Sequence, residues 1–170
     1  MLLVRPSIES VSVYDIYPAA AERFKAWAEK EYGIPVNICK NAAEAVNDAD
    51  IICTVTPSKK PFLEKNWVKK GAHINAVGTF SARTREVTSD LAKAARFYCD
   101  DRTALMKESG DFLIPIFEGK FREDHLVGSI GEVLLGKVPG RQSEEEITLF
   151  DGLGLAVEDV ICCRYLICGR

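Results

Sequence analysis

The stretch Gly71-Ala-His-Ile-Asn-Ala-Val-Gly-Thr-Phe80 constrains this chain most. An apolar, β-branched run ends in a glycine and then in small and polar residues. That is the form of a buried parallel strand where it leaves its sheet. Val11-Ser-Val-Tyr-Asp15 and Asp50-Ile-Ile-Cys-Thr-Val-Thr-Pro57 have the same form. In open α/β sheets, ligands lie outside the carboxyl ends of the strands. Three strand ends with polar tips therefore predict one ligand-binding edge.

Helical patterns separate these strands. Tyr17-Pro18 breaks the first strand, and residues 19–32 place Ala20, Phe24, Trp27 and Ala28 at helical spacing, with Gly33 as a stop. Residues 36–39 read as a short strand. Asn41 can cap a helix over 42–49, with Glu44 in the place of a capping box. Thr88-Ser-Asp90 opens a helix through Ala95, and 96–100 is strand-like. A mixed helical stretch starts at Asp101 or Thr103 and runs towards Gly110. Residues 119–143, rich in glycine and charge, hold one short helix over 129–135. Residues 147–150 read as a strand and 151–154 as a turn. A last helix, 156–168, is apolar enough to be largely buried. Alternating strands and helices predict an α/β fold: a Rossmann-like, doubly wound, mostly parallel sheet with helices on both faces.

With 170 residues the chain suits one domain with a real core. The net charge of −3 and the lack of a basic block argue against a nucleic-acid partner. No apolar run approaches the roughly 18 residues of a membrane span. Met1-Leu-Leu-Val-Arg-Pro6 is too short for a secretory signal. The six cysteines (39, 53, 99, 162, 163 and 168) form no CxxC pair, so no metal site is expected. Cys39, Cys53 and Cys99 lie in strand-like runs and read as buried thiols of a reducing, cytoplasmic protein.

The pattern departs from a dinucleotide-binding domain in one respect. Such a domain opens with a strand and a glycine-rich turn that holds the pyrophosphate at a helix N-terminus. The residues before Val11 contain no glycine, so the expectation is a domain lacking its first strand and glycine-rich loop. Asp15 nevertheless ends the first visible strand, where an acid takes the ribose hydroxyls and repels a 2′-phosphate. The alternative is a solvated turn residue before Pro18. Thr54 and Thr56 are either cofactor contacts or strand-end hydroxyls bonded to backbone. His73 reads as a packed structural histidine rather than a base, and His125 as a solvated loop residue. Lys59-Lys60 reads as a solvated pair or a phosphate contact. Glu144-Glu-Glu146 reads as a solvated run.

The chain resembles the ornithine cyclodeaminase/mu-crystallin family. The resemblance is carried by Val11–Asp15, Ala49–Pro61, Gly71–Gly78, Arg85-Glu86, Glu108-Ser-Gly110, Ile130–Gly136 and Gly140–Asp159. It implies a carboxy-terminal, nucleotide-binding portion, the amino-terminal substrate and dimerisation domain of the family lying outside these residues. It implies NAD rather than NADP through Asp15, with Thr54 near the cofactor. It places Ile74, Asn75, Ala76 and Val77 along the nicotinamide, and Gly152 and Leu153 in a turn that closes over it. Asp151 is then either a turn or cap residue or a polar group near the nicotinamide. The cyclodeaminating members carry a catalytic aspartate two residues after the Val-Gly pair, and here that position is Phe80.

The resemblance thus implies hydride transfer with a small amino or imino acid, closer to imine reduction than to cyclodeamination. No catalytic residue is assigned within the chain. The alternative is a non-catalytic nucleotide-fold module acting through a partner. A sheet missing its first strand exposes an edge, so self-association into a homo-oligomer is also expected.

Overall fold

The computed structural model describes residues 5–168 and divides the chain into two compact units between Ala49 and Asp50. The first unit is a βαβα segment: β1 (Val11–Val13), α1 (Pro18–Tyr32), β2 (Val36–Ile38) and α2 (Ala42–Val46). β1 and β2 pair in parallel, Val11 opposite Val36 and Val13 opposite Ile38. Pro18 begins α1, where a missing N–H costs nothing. Gly33 ends it at φ 64°, in the left-handed region glycine enters freely, and its N–H bonds to Glu29 O at 3.0 Å. Asn41 caps α2 as expected, its Oδ1 accepting Glu44 N at 2.9 Å. The buried face of α1 is narrower than the sequence suggested. Ala21 and Ala28 are buried, whereas Trp27 is half exposed and leans on Phe24 and Tyr32.

The second unit contains β3 (Ile51–Thr54), β4 (His73–Ala76), α3 (Ser89–Ala94), β5 (Arg96–Cys99), α4 (Arg102–Glu108) and α5 (Gly110–Phe117). It continues with β6 (Leu126–Ser129), α6 (Ile130–Leu134), β7 (Thr148–Asp151) and α7 (Ala156–Cys168). Its sheet has five parallel strands in the order β3-β4-β7-β5-β6. The last strand in the chain therefore lies in the middle of the sheet. Ile52, Ile74, Phe97 and Leu149 are buried along the strands, and Leu63, Val87, Leu91, Leu105 and Phe112 pack around them. Phe97 meets Phe112 with ring centroids 4.9 Å apart. This is the parallel α/β architecture the alternation implied.

Several expectations need correction. β6 falls in a region read as loop. α5 continues through Pro115, which lies past the first turn and so costs the helix one backbone hydrogen bond. α7 was expected to be largely buried, but all its described residues are exposed, including Val160, Ile161, Tyr165 and Leu166. Its apolar residues are spread around the helix and mark no single buried face. Cys53 is exposed and Cys39 half-buried; of the three strand cysteines only Cys99 is buried. His125 is not a solvated loop residue: Nε2 lies 2.9 Å from Ala92 O, and the ring stacks on Phe121. No helix among the described residues is long and apolar enough to cross a membrane.

Candidate functional site

The carboxyl ends of β3, β4, β7 and β5 form one edge of the second unit. The register ends with Thr54 opposite Ala76, Ala76 opposite Asp151, and Asp151 opposite Cys99. The loops that leave these ends carry backbone N–H groups with no further strand to pair with. A buried N–H left without an acceptor is costly. Three buried carboxyl groups, Glu86, Asp111 and Asp100, supply the acceptors, and a fourth, Asp151, binds a hydroxyl at the same edge.

Glu86, in the loop between β4 and α3, is fully buried. Its Oε1 accepts from Thr56 N at 2.7 Å and Thr56 Oγ1 at 2.6 Å, and its Oε2 accepts from Gly78 N at 3.0 Å. Asp111, on the first turn of α5, holds the Glu86 backbone in turn. Its Oδ1 accepts from Glu86 N at 3.0 Å and Val87 N at 2.7 Å, and its Oδ2 from Thr79 Oγ1 at 2.8 Å. Asp100, just past β5, accepts from Leu153 N and Gly154 N, each at 2.7 Å. Asp151, the last residue of β7, accepts from the Ser109 hydroxyl, which itself caps α5 by accepting Phe112 N at 3.0 Å.

Burial and crowding tune these acids. Desolvation pushes Asp111 up to about 6 against the pull of its donors. Asp151 lies well above the ordinary carboxylate range, first through desolvation and then through the charge of Asp111. The Cys99 thiol is pushed up to about 12 by burial and by Asp100, so it is no thiolate nucleophile. Asp151 is therefore a buried strand-end carboxyl and not the turn or cap residue that was one reading of the sequence.

The residues singled out in the sequence divide between the two units. Asp15 lies in the first unit just past β1, where its Oδ1 accepts Tyr17 N at 2.8 Å. In the second unit, Thr54, Ala76 and Val77 lie at the carboxyl edge. Ile74 and Asn75 stand earlier on β4, Ile74 fully buried in the core. Gly152 continues the edge, with its N–H bonded to Ala76 O at 2.9 Å, and Leu153 follows in the turn held by Asp100. The Thr54 hydroxyl is buried and, among the described residues, is the one buried side-chain oxygen or nitrogen without a hydrogen-bond partner. Such an orphan at a strand end fits a site completed by a bound group or water. Thr56, by contrast, spends its hydroxyl on Glu86. His73 is structural as expected, with Nδ1 2.8 Å from Thr148 Oγ1. Phe80 stands at the loop tip, 77% exposed. Among the described residues, no three His, Cys, Asp or Glu side chains are grouped to hold a metal ion.

The sequence reading missed the four carboxyls as a group. Glu86 and Asp111 sit in loop and helix-start contexts that are usually solvated, and only the fold brings them under one edge. The signal available was the set of small donors that surround them, Thr56, Gly78, Thr79 and Ser109.

Comparison with known proteins gives a consistent answer. Residues 2–167 match the model of the ornithine cyclodeaminase/mu-crystallin family. The chain is 38% identical over 161 residues to a Delta(1)-pyrroline-2-carboxylate reductase of Bacillus cereus, covering 94% of this chain and 49% of that one. It is 36% identical to the ketimine reductase mu-crystallin of Mus musculus, covering 93% of this chain and 46% of that one. Its fold is similar to the structure of Thermococcus litoralis Delta(1)-pyrroline-2-carboxylate reductase in complex with NADH and L-proline, with a TM-score of 0.90 and 34% identity. That likeness covers 95% of this chain and 52% of that one. The chain thus spans about half the length of the curated relatives it matches.

Proposed function

Because this chain belongs to the ornithine cyclodeaminase/mu-crystallin family, we propose that it is the NAD-binding portion of an enzyme that reduces a cyclic imino acid. In this reading the substrate-binding and dimerising half of the family architecture is not represented in residues 1–170. The observation that carries imine reduction over cyclodeamination is Phe80. It stands exposed past the carboxyl end of β4, at the position where the resemblance puts a catalytic aspartate. Loss of ammonia needs a group that moves protons, and a phenyl ring moves none. Reduction of a protonated imine asks less of that position, because the imine carbon is already electrophilic.

When bound, the nicotinamide supplies a hydride to that carbon. The chain's own residues bind and orient. Asp15 accepts the ribose hydroxyls and repels a 2′-phosphate, its rotamer fixed by the Tyr17 N–H on Oδ1. Thr54 offers its unpartnered hydroxyl at the edge of β3. Ala76 and Val77 give the strand-end surface beside the ring. Gly152 and Leu153 form the covering turn, kept in place by Asp100. Apolar tips on this edge exclude water from the hydride path.

Titration of the chain with NADH, followed by nicotinamide fluorescence with NADPH in parallel, tests the reading. Saturable binding that is tighter for NADH is the expected outcome. Binding of neither nucleotide, or a preference for NADPH, overturns it. With the substrate-binding half supplied, turnover of a cyclic ketimine acid without ammonia release from a diamino acid is expected.

A further inference from the structure

The ladder between β3 and β4 ends with Thr54 opposite Ala76 and one further bond, Val77 N to Thr54 O at 3.0 Å. The next N–H groups in each chain segment, Thr56 and Gly78, turn instead to the two oxygens of one buried carboxylate. Glu86 thereby acts as an added rung between the two departing loops. The fit is close on the other side as well. A Cβ on residue 78 would lie 2.3 Å from both Thr56 N and Thr56 O and 2.5 Å from Glu86 Oε1. Only glycine allows that approach.

A buried carboxylate is a poor way to gain stability, since an apolar side chain of similar size avoids its desolvation cost. What it gives is geometry, because two oxygens can each fix a separate loop. On either side of this rung the loops present apolar side chains to solvent. Val55 and Val77 stand one step past the paired Thr54 and Ala76, and Phe80 follows; all three are exposed. Asp111 fixes the far side of the same segment through Thr79 Oγ1.

We propose that Glu86 is a positioning residue for the nicotinamide end of the cofactor. It sets the backbones of Thr56 and Gly78, and through them an apolar surface of Val55, Val77 and Phe80 on which a flat ring lies. The inference rests on the NAD-binding reading above and adds the residue that shapes the ring's half of that site.

The test uses the full chain, with Glu86→Gln and Thr56→Val as variants, and NADH and ADP-ribose as probes. ADP-ribose shares everything with NADH but the nicotinamide. Glutamine keeps one acceptor and turns an NH₂ towards the other loop's N–H. Glu86→Gln is expected to weaken NADH by about tenfold, the scale of one charge-assisted hydrogen bond, and to leave ADP-ribose within about twofold. Amide exchange at Thr56 or Gly78 is expected to quicken. Thr56→Val removes one donor, keeps the shape, and is expected to give a smaller loss of the same selectivity; it decides the matter if Glu86→Gln does not fold. Unchanged NADH affinity, an equal loss for both probes, or unchanged exchange at both amides overturns the proposal while leaving NAD binding intact. A wild-type chain that binds neither probe overturns the NAD-binding reading and this inference with it.

Discussion

At the amino end of the five-stranded sheet, Lys69 reaches Asp50 at 2.8 Å, Lys70 reaches Glu145 at 2.8 Å, and Arg96 lies 3.6 Å from Glu146. Arg141 adds bonds to the carbonyls of Ala72 and Glu146 and to the Thr148 hydroxyl. At the carboxyl end the order is reversed: the carboxyls are buried, and their partners are backbone N–H groups and hydroxyls of the loops. The amino end is closed by long, partly exposed side chains, which tolerate shifts of the backbone they hold. The carboxyl end is closed by short, desolvated acceptors that fix backbone atoms in place. A ligand edge needs the second kind, because preset geometry lowers the ordering cost of binding.

Substitutions at the two ends should separate sharply. Gly78→Ala has the largest expected effect, because its Cβ meets backbone and not a flexible tip. A loss of about 4 kcal/mol in urea unfolding is expected, and a loss below about 1 kcal/mol would mean that the loops of β3 and β4 give way easily. Asp111→Ala strips the acceptor from two N–H groups and from the Thr79 hydroxyl, and about 3 kcal/mol should be lost.

The acid dependence follows from the same residue. Asp111 titrates at about 6, above the ordinary value, so the folded chain holds a proton that the unfolded chain has already released. Its contribution to stability is therefore fullest below about pH 4 and is lost as the pH rises through 6. Compared with Asp111→Asn, the wild type should lose on the order of 2 kcal/mol between pH 4 and 7. Unfolding of both proteins across that range checks it; a difference that grows with pH would reverse the assignment. Asp100→Ala frees the 153–154 turn and the Asp101 N–H, and about 1–2 kcal/mol is expected, with faster amide exchange at Leu153 and Gly154. Lys70→Ala, at the opposite end, should leave the unfolding midpoint unchanged within error, because an exposed pair is screened.

The strands that position the edge were legible because their β-branched runs have one periodicity and clear stops. Val36, Ile52, Ile74 and Leu149 are buried strand residues as that pattern requires. β6 was not legible, for Leu126-Val-Gly-Ser129 is short, carries a glycine, and follows three polar residues. The buried face of α1 was misjudged because Trp27 supplies hydrophobicity without burial, while two alanines seven residues apart make the contact. The carboxyl group was beyond a linear reading for a different reason. Glu86 and Asp111 are 25 residues apart, and each looks like a solvated charge until the loop after β4 and the start of α5 meet. The family resemblance drew attention to Phe80, and the structure shows it between Thr79, bonded to Asp111, and the turn at Ser81.

The strand order has one more consequence, for the time course of folding. β3-β4 and β5-β6 can each form as soon as their own residues are available, but β7 alone joins them. A chain growing from its amino terminus holds two half-sheets, each with an open apolar edge, until Thr148–Asp151 arrives. Closure then requires β7 to insert between strands whose residues lie some 75 and 50 positions earlier in the register, a long-range step that is slow and exposed to aggregation. Asp151, arriving with that strand, brings its carboxyl to Ser109 in the same event, so the edge is completed by the step that closes the core.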